Sequence, residues 1–124
     1  MENIILASTS PRRQEILKMM RIPFHVMVPN VDESLYTSKM PEDLPEILAK
    51  AKVQAVVRSL PPKQVIPWVL GADTLVVMDQ KIYGKPKDPK EAFEFLDALQ
   101  GRTHKVITSI ALYNGRSHIT TVTT

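Results

Sequence analysis

The spacing of apolar positions predicts strands and helices that alternate along the chain. Four apolar residues from Ile4 to Ala7 have the length and composition of a buried strand. Phe24, Val26 and Val28 alternate with other side chains, which predicts a strand with one buried face. Further strands are predicted over 65–78, 81–83, 106–113 and 117–124, and the last two are joined by the hairpin signal Asn114-Gly115.

Helical spacing and capping residues predict three helices between these strands. The first follows Ser10 and Pro11, the second runs from about 43–45 to Ser59, and the third begins at Asp88-Pro89 and ends at Gly101. Strands that alternate with helices indicate an α/β fold. The predicted apolar faces are Ile16, Leu17 and Met20 in the first helix, Leu48, Ala51 and Ala55 in the second, and Ala92, Phe93, Leu96 and Leu99 in the third.

Composition limits the class of protein more than its fold. With 124 residues and 44% apolar content, the chain has room for one domain, predicted over 1–124. The net charge of +3 is too small for a surface that coats a nucleic-acid polymer. The absence of cysteine excludes thiolate metal sites and a cysteine nucleophile. No stretch approaches membrane-spanning length and no leader is apparent, so we expect no membrane partner and a cytoplasmic location.

The first strand leads into a stretch suited to an anion. Ser8, Ser10, Arg12 and Arg13 cluster at a predicted helix N-terminus, where unpaired backbone N–H groups and guanidinium groups bind phosphate well. Cations are otherwise unfavourable at that position, by about 0.3–1 kcal/mol each. A helix start with solvated basic side chains is the alternative.

Asp73 is the most unusual residue in the sequence. It lies in Gly71-Ala72-Asp73-Thr74, which interrupts the most apolar part of the chain, and Gly71 permits a bulge or a close backbone approach there. A carboxylate in apolar surroundings costs several kcal/mol unless it is paired or liganded. Asp73 is therefore a candidate site residue, and a turn aspartate that caps nearby N–H groups is the alternative.

Several other charged residues are weaker candidates. Asp32-Glu33 follows a strand end, where α/β proteins assemble sites, although an exposed acidic loop is the commoner explanation of such a pair. Lys50 and Lys52 lie about 200° apart on the second helix, so at most one of them faces a given site. Lys85, between Gly84 and Pro86, suits an anion or is a loop charge, and His104 is interpreted as structural.

Six short motifs in this order and spacing resemble the Maf-like nucleotide pyrophosphatases, and within them the dTTP/UTP branch. Ser109 departs from a glycine common in that family. Members of the family are also longer, and their C-terminal part supplies a glutamine linked to base recognition. The motifs are Ser8-x-Ser10-Pro11-Arg12-Arg13, Asp32-Glu33, Leu48-Ala49-x-x-Lys52, Gly71-Ala72-Asp73-Thr74, Gly84-Lys85-Pro86 and Leu99-x-Gly101-x-x-His104-x-Val106.

The resemblance implies a fold and a reaction. The fold would be a mixed twisted sheet flanked by helices, like that of Maf and inosine triphosphatase proteins, with the C-terminal part missing. The reaction would be hydrolysis of dTTP or UTP, modified pyrimidine nucleotides included, to the monophosphate and pyrophosphate. A divalent metal, Mg²⁺ or alternatively Mn²⁺, would assist. A catalytically silent module that binds nucleotide or phosphate is the alternative.

The resemblance also implies a role for each site residue. Asp73 would be the catalytic proton acceptor, and Glu33 with Asp73 would bind the metal. Arg12 and Thr74 align with positions linked to substrate choice. A β-branched, open edge at Thr120 to Thr124 predicts that a further segment follows or that a second copy pairs there as a homodimer. The substrate-binding residues would be Ser8, Arg12, Arg13, Lys52, Thr74 and Lys85.

Overall fold

The structure, a computed structural model, describes residues 4–38, 40–60, 68–83, 87–114 and 119–124. No helix in these ranges is long and apolar enough to cross a membrane. Short 3₁₀ turns occupy Glu33–Leu35 and Pro41–Asp43. The helices are α1 (Pro11–Met19), α2 (Leu44–Ser59) and α3 (Pro89–Leu99), and the strands are β1 (Ile4–Ala7), β2 (Phe24–Met27), β3 (Trp68–Met78), β4 (Lys81–Tyr83), β5 (Lys105–Tyr113) and β6 (Ile119–Thr123).

The strands of the described part form one mixed sheet, as predicted. Its order is β2-β1-β3-β5-β6, and β4 pairs with β3 beside β1. The β1–β2 and β1–β3 pairs are parallel, whereas β3–β5, β5–β6 and β3–β4 are antiparallel. The predicted turn glycine, Gly115, lies outside the described residues, but Tyr113 and Ile119 pair on either side of it.

One face of the sheet packs against α2 and forms the core. Gly71 makes this packing close: a Cβ at that position would lie 2.7 Å from Val53 Cγ2 and 3.0 Å from the Ala49 carbonyl oxygen. Glycine is therefore required by space and not by backbone conformation. The core cluster is Ile5, Ala7, Ala49, Val53, Val56, Val69, Ala111 and Tyr113.

The polar stretch around Asp73 is part of a continuous strand. β3 runs without interruption from Trp68 to Met78, and Asp73 pairs with Ser109 inside it. Continuous pairing with β5 from Val69 to Val77 overrides the weak strand propensity of glycine and aspartate. The alternative of a turn aspartate is therefore wrong.

The helix ends were predicted more accurately than the buried faces of the helices. The Ser10 side chain accepts a hydrogen bond from the Arg13 N–H at 3.4 Å, and Asp88 accepts one from the Glu91 N–H at 2.8 Å. Gly101 has the expected left-handed conformation, with φ of 68°. These caps depend on neighbours in sequence, so they are predictable from sequence alone.

The predicted apolar faces of α1 and α3 are largely exposed. Leu17 is buried, but Ile16 and Met20 are not, and Phe93 and Leu96 of α3 are 71% and 69% exposed. In the described part of the chain nothing covers these stripes, and a helical period alone does not supply a packing partner. The predicted inner face of β2 fails similarly, because Val26 is exposed on an edge strand and Val28 lies beyond the end of the strand.

Candidate active site

A cleft lies where β3 is longer than its neighbours. β1 pairs with β3 only up to Gly71, and β4 pairs with it only from Val76. Among the described residues, no strand pairs with the intervening stretch of this edge. The cleft has a volume of about 600 Å³, within the range of small-molecule sites. Its lining residues are Ser8, Thr9, Arg13, Pro29, Val31, Glu33, Leu48, Lys52, Asp73, Thr74, Leu75, Val76 and Tyr83.

Asp73, Lys52 and Glu33 form the charged centre of this cleft. Lys52 extends from α2 and lies between the two carboxylates, with Nζ 2.9 Å from Asp73 Oδ1 and 3.2 Å from Glu33 Oε1. The side chains of Lys52 and Asp73 are 15% and 9% exposed, whereas that of Glu33 is 55% exposed. The pair made by Lys52 and Asp73 is therefore the desolvated part of the cluster.

The two carboxylate oxygens of Asp73 differ in their hydrogen bonds. Oδ1 accepts the hydrogen bond from Lys52, whereas Oδ2 is buried without a hydrogen-bond partner in the described residues. Burial raises the pKa of Asp73 above its ordinary value of 3.8; Lys52 opposes the rise, Glu33 adds to it, and Arg13 opposes it. A buried carboxylate oxygen without a partner is costly, so it is suited to a proton, a water or a cation.

The turn after β1 contributes hydroxyl and guanidinium groups. Ser8 is buried, and its Oγ accepts a hydrogen bond from the Ser10 N–H at 3.0 Å, which leaves its own hydrogen for a ligand. Arg13 donates from Nη2 to Thr74 Oγ1 at 3.4 Å. No carboxylate of the described residues pairs with Arg13, so the guanidinium keeps donors for an anion.

Of the pairs Arg12-Arg13 and Asp32-Glu33, only the second residue of each lines the cleft. Arg13 lines the cleft, whereas Arg12 is exposed and does not. Glu33 reaches Lys52, whereas Asp32 caps the following 3₁₀ turn by accepting the Ser34 N–H at 3.1 Å.

Two further lysines, Lys50 and Lys85, were considered as candidates. Lys50 is exposed, as expected for the lysine on the far side of α2. Lys85 lies outside the described residues, so its predicted place near the phosphates stays a prediction.

Sequence reasoning missed Thr108 and the apolar wall of the cleft. Thr108 pairs in register with Thr74, and their hydroxyl oxygens are 3.0 Å apart. No local signal distinguishes Thr108, because its neighbour is brought alongside only by the β3–β5 register. The apolar wall is formed by Val31, Leu48, Leu75 and Val76.

The carboxylates could hold a metal ion only together with a ligand. No group of three or more His, Cys, Asp or Glu side chains able to hold a metal occurs in the described residues. Mg²⁺, however, is usually bound by one or two carboxylates together with substrate phosphates and water. The unpartnered Asp73 Oδ2 and the half-exposed Glu33 carboxylate are compatible with that arrangement.

Comparison with known proteins identifies the family of this chain. The family model described as Maf-like protein matches residues 3–124. The chain therefore belongs to the Maf-like family, as its motifs indicated.

Similar proteins carry a consistent name. A protein of Symbiobacterium thermophilum named dTTP/UTP pyrophosphatase is 48% identical over 115 residues, which cover 93% of this chain and 57% of that protein. One of the same name from Bacillus cytotoxicus is 42% identical over 120 residues, covering 97% and 61%. The chain thus spans about three fifths of the length of these relatives.

Solved structures support the predicted fold class. The Staphylococcus aureus Ham1 protein superposes with a TM-score of 0.64 at 17% identity, covering 98% of this chain and 68% of that one. A nucleoside-triphosphatase, or dITP/XTP pyrophosphatase, from Mycobacterium abscessus superposes with a TM-score of 0.58 at 16% identity, covering 99% and 71%. At these identities the likeness concerns the fold.

Proposed function

We propose that this chain is a nucleoside triphosphate pyrophosphatase that converts dTTP or UTP to the monophosphate and pyrophosphate. The observation that carries the proposal is the buried Asp73 carboxylate in a cleft lined by Arg13 and Ser8. Its Oδ1 is fixed by Lys52, and its Oδ2 has no hydrogen-bond partner among the described residues. The names of the similar pyrophosphatases support the same substrate class.

The proposed reaction is attack of water on the α-phosphorus. The bond from that phosphorus to the oxygen bridging the α- and β-phosphates breaks, pyrophosphate leaves with that oxygen, and Asp73 Oδ2 accepts the proton of the water. Arg13, Lys52 and the Ser8 hydroxyl would bind phosphate oxygens and stabilise the negative charge that grows there. Lys52 would also keep Asp73 ionised against the effect of burial, so that it can act as a base.

A divalent cation, Mg²⁺ or Mn²⁺, belongs to the proposal. Glu33 and one acceptor position of Asp73 Oδ2 would hold it together with substrate phosphates, and the second acceptor position of Oδ2 would remain for the proton of the water. When bound, it would neutralise phosphate charge and lower the pKa of the attacking water.

The preference for pyrimidines is part of the proposal too. Next to the charged centre, the apolar wall and the Thr74 hydroxyl offer a surface for a base and a hydrogen-bonding group for a carbonyl or ring nitrogen.

Pyrophosphate release from dTTP, UTP, dATP and dGTP, with and without Mg²⁺, tests the proposal. We expect release from dTTP and UTP that depends on Mg²⁺. Because burial raises the pKa of Asp73, kcat/KM should fall on the acid side with a midpoint above 3.8. Replacing Asp73→Asn should reduce the rate about 10²- to 10⁴-fold, the usual contribution of a general base.

Asp97→Asn is the matched control, since Asp97 is exposed on α3. Release that persists undiminished in Asp73→Asn would exclude Asp73 as the base. Release at the same rate in Mg²⁺-free buffer would exclude the metal.

A binding module without hydrolysis is the second candidate. The observation in its favour is that Ser8, Arg13 and Lys52 line the cleft and offer donors for phosphate whether or not Asp73 deprotonates a water. Calorimetry with dTTP separates the two candidates, because heat of binding without pyrophosphate release would favour the module.

A further inference from the structure

Thr108 is a polar residue beside the cleft to which the proposed reaction gives no role. It lies on β5 directly opposite Thr74, and the two hydroxyl oxygens are 3.0 Å apart. Thr74 lines the cleft, but Thr108 does not. The contact of Thr108 with the cleft is its hydrogen bond to Thr74.

The single hydrogen of each hydroxyl limits the hydrogen bonds that Thr74 and Thr108 can form. A hydroxyl has one hydrogen and two acceptor positions, whereas a guanidinium can only donate. Thr74 Oγ1 accepts from Arg13 and shares one hydrogen bond with Thr108. If Thr108 donates in that bond, both acceptor positions of Thr74 are used, and the hydrogen of Thr74 remains for an acceptor in the cleft.

We infer that Thr108 is a positioning residue that fixes the Thr74 hydroxyl as a donor toward the nucleotide. When a ligand oxygen lies in the cleft, Thr74 can donate to it and keep its hydrogen bonds with Arg13 and Thr108 only if Thr108 is the donor in the Thr74–Thr108 bond. The acceptor would be a phosphate oxygen or a carbonyl of the base. This inference rests on the proposed function, because it refines how the same cleft binds its substrate.

The test replaces Thr108 by valine, which keeps the shape and the strand propensity but removes the hydroxyl, and by serine, which keeps the hydroxyl. We expect Thr108→Val to raise KM for dTTP about 3- to 10-fold with little change in kcat, since one hydrogen bond is lost from binding. Thr108→Ser should stay within about twofold of the unsubstituted protein.

Thr123→Val is the matched control. Thr123 forms a comparable hydroxyl pair with Ser109, at 2.8 Å, on the same sheet but away from the cleft lining. It should leave KM unchanged. If Thr108→Ser is as impaired as Thr108→Val, or if Thr108→Val has an unchanged KM, the inference is overturned.

A double-mutant cycle shows whether Thr108 acts through Thr74. In a Thr74→Val background, Thr108→Val should have no further effect on KM, whereas a purely structural role would give additive losses. Additive losses would overturn the inference.

Calorimetric Kd values for dTTP, measured without Mg²⁺, distinguish this inference from the proposed function. If the unsubstituted chain binds dTTP but releases no pyrophosphate, hydrolysis fails, and the ratio of Kd values for the valine and serine variants decides the role of Thr108. A chain that neither binds nor hydrolyses dTTP would overturn both.

Discussion

The two faces of the central sheet differ sharply in how they are covered. The face made by odd-numbered residues of β3 and β5 packs on α2, and Val69 and Ala111 there are fully buried. The even-numbered face is unevenly covered, because Ala72 is 7% exposed there whereas Val106 and Val122 are 57% and 64% exposed. Adjacent residues of one strand thus have different surroundings, because successive side chains point to opposite faces.

The cleft uses both faces because it opens at the strand edge between them. Asp73 belongs to the packed face, where α2 brings Lys52 to it and burial raises its pKa. Thr74 belongs to the open face, where it meets Arg13 and Thr108. The packed face therefore sets the charge state of the proposed base, and the open face supplies hydrogen-bond donors.

Breaking the ion pair on the packed face should have the largest effect on stability. Lys52→Met leaves Asp73 buried without its partner, and we expect a loss of about 3 kcal/mol in the free energy of unfolding at pH 7. Urea unfolding measures it. Lys50→Met, an exposed position on the same helix, should change stability by less than about 0.5 kcal/mol.

The loss in Lys52→Met should also depend on pH. Without Lys52 the pKa of Asp73 rises further, since both contributions of the lysine lower it. The contribution of Asp73 to stability is then fully present below the pKa of Asp73 in the unfolded chain, near 3.8. It is lost as the pH rises through the higher pKa of Asp73 in the folded protein. The deficit should therefore be smaller at pH 4 than at pH 7. An equal deficit at both would mean that packing of the lysine stem, and not its charge, is what stabilises the protein.

This ion pair also shows what the sequence could and could not predict. Asp73 stands out from its apolar neighbours, and the second helix is predictable with Lys52 on one side. Their contact, however, joins residues 21 positions apart and depends on how closely α2 approaches β3 at Gly71. Packing of this kind leaves no local pattern, so the sequence predicts the participants but not the distance between them.

The same limit explains the errors. Helix caps at Ser10 and Asp88 involve neighbours in sequence and were predicted correctly. The alternative of a turn at Asp73 came from local propensity and was wrong, because pairing with β5 is a non-local contribution. Thr108 had no local signal, since its role depends on register with a residue 34 positions away.

The same substitution placed on each face tests the contrast directly. Val69→Thr puts a hydroxyl into the packed core, and we expect it to cost about 1–3 kcal/mol. Val122→Thr, on the open face, should cost less than about 0.5 kcal/mol. Thermal or urea unfolding measures both. If the two variants lose equal stability, the even-numbered face is covered in solution, for example by a second copy of the chain.

Arg13→Ala should have the smallest effect on stability and a large one on hydrolysis. Arg13 lies in the first turn of α1, where the helix dipole disfavours a cation by about 0.3–1 kcal/mol. Its hydrogen bond to Thr74 is long and exposed, so its loss roughly offsets that gain. We expect the free energy of unfolding to stay unchanged or rise slightly, while pyrophosphate release falls because a phosphate-binding guanidinium is lost.

Arg12→Ala separates the contribution of the helix dipole from that of the cleft. It removes the same charge from the same turn, but Arg12 does not line the cleft, so it lacks the contact with Thr74. The two variants should therefore have similar stability in urea, with Arg12→Ala gaining slightly more. A clear loss of stability in Arg13→Ala alone would mean that this arginine fastens α1 to the open face through Thr74, and its role would then be structural.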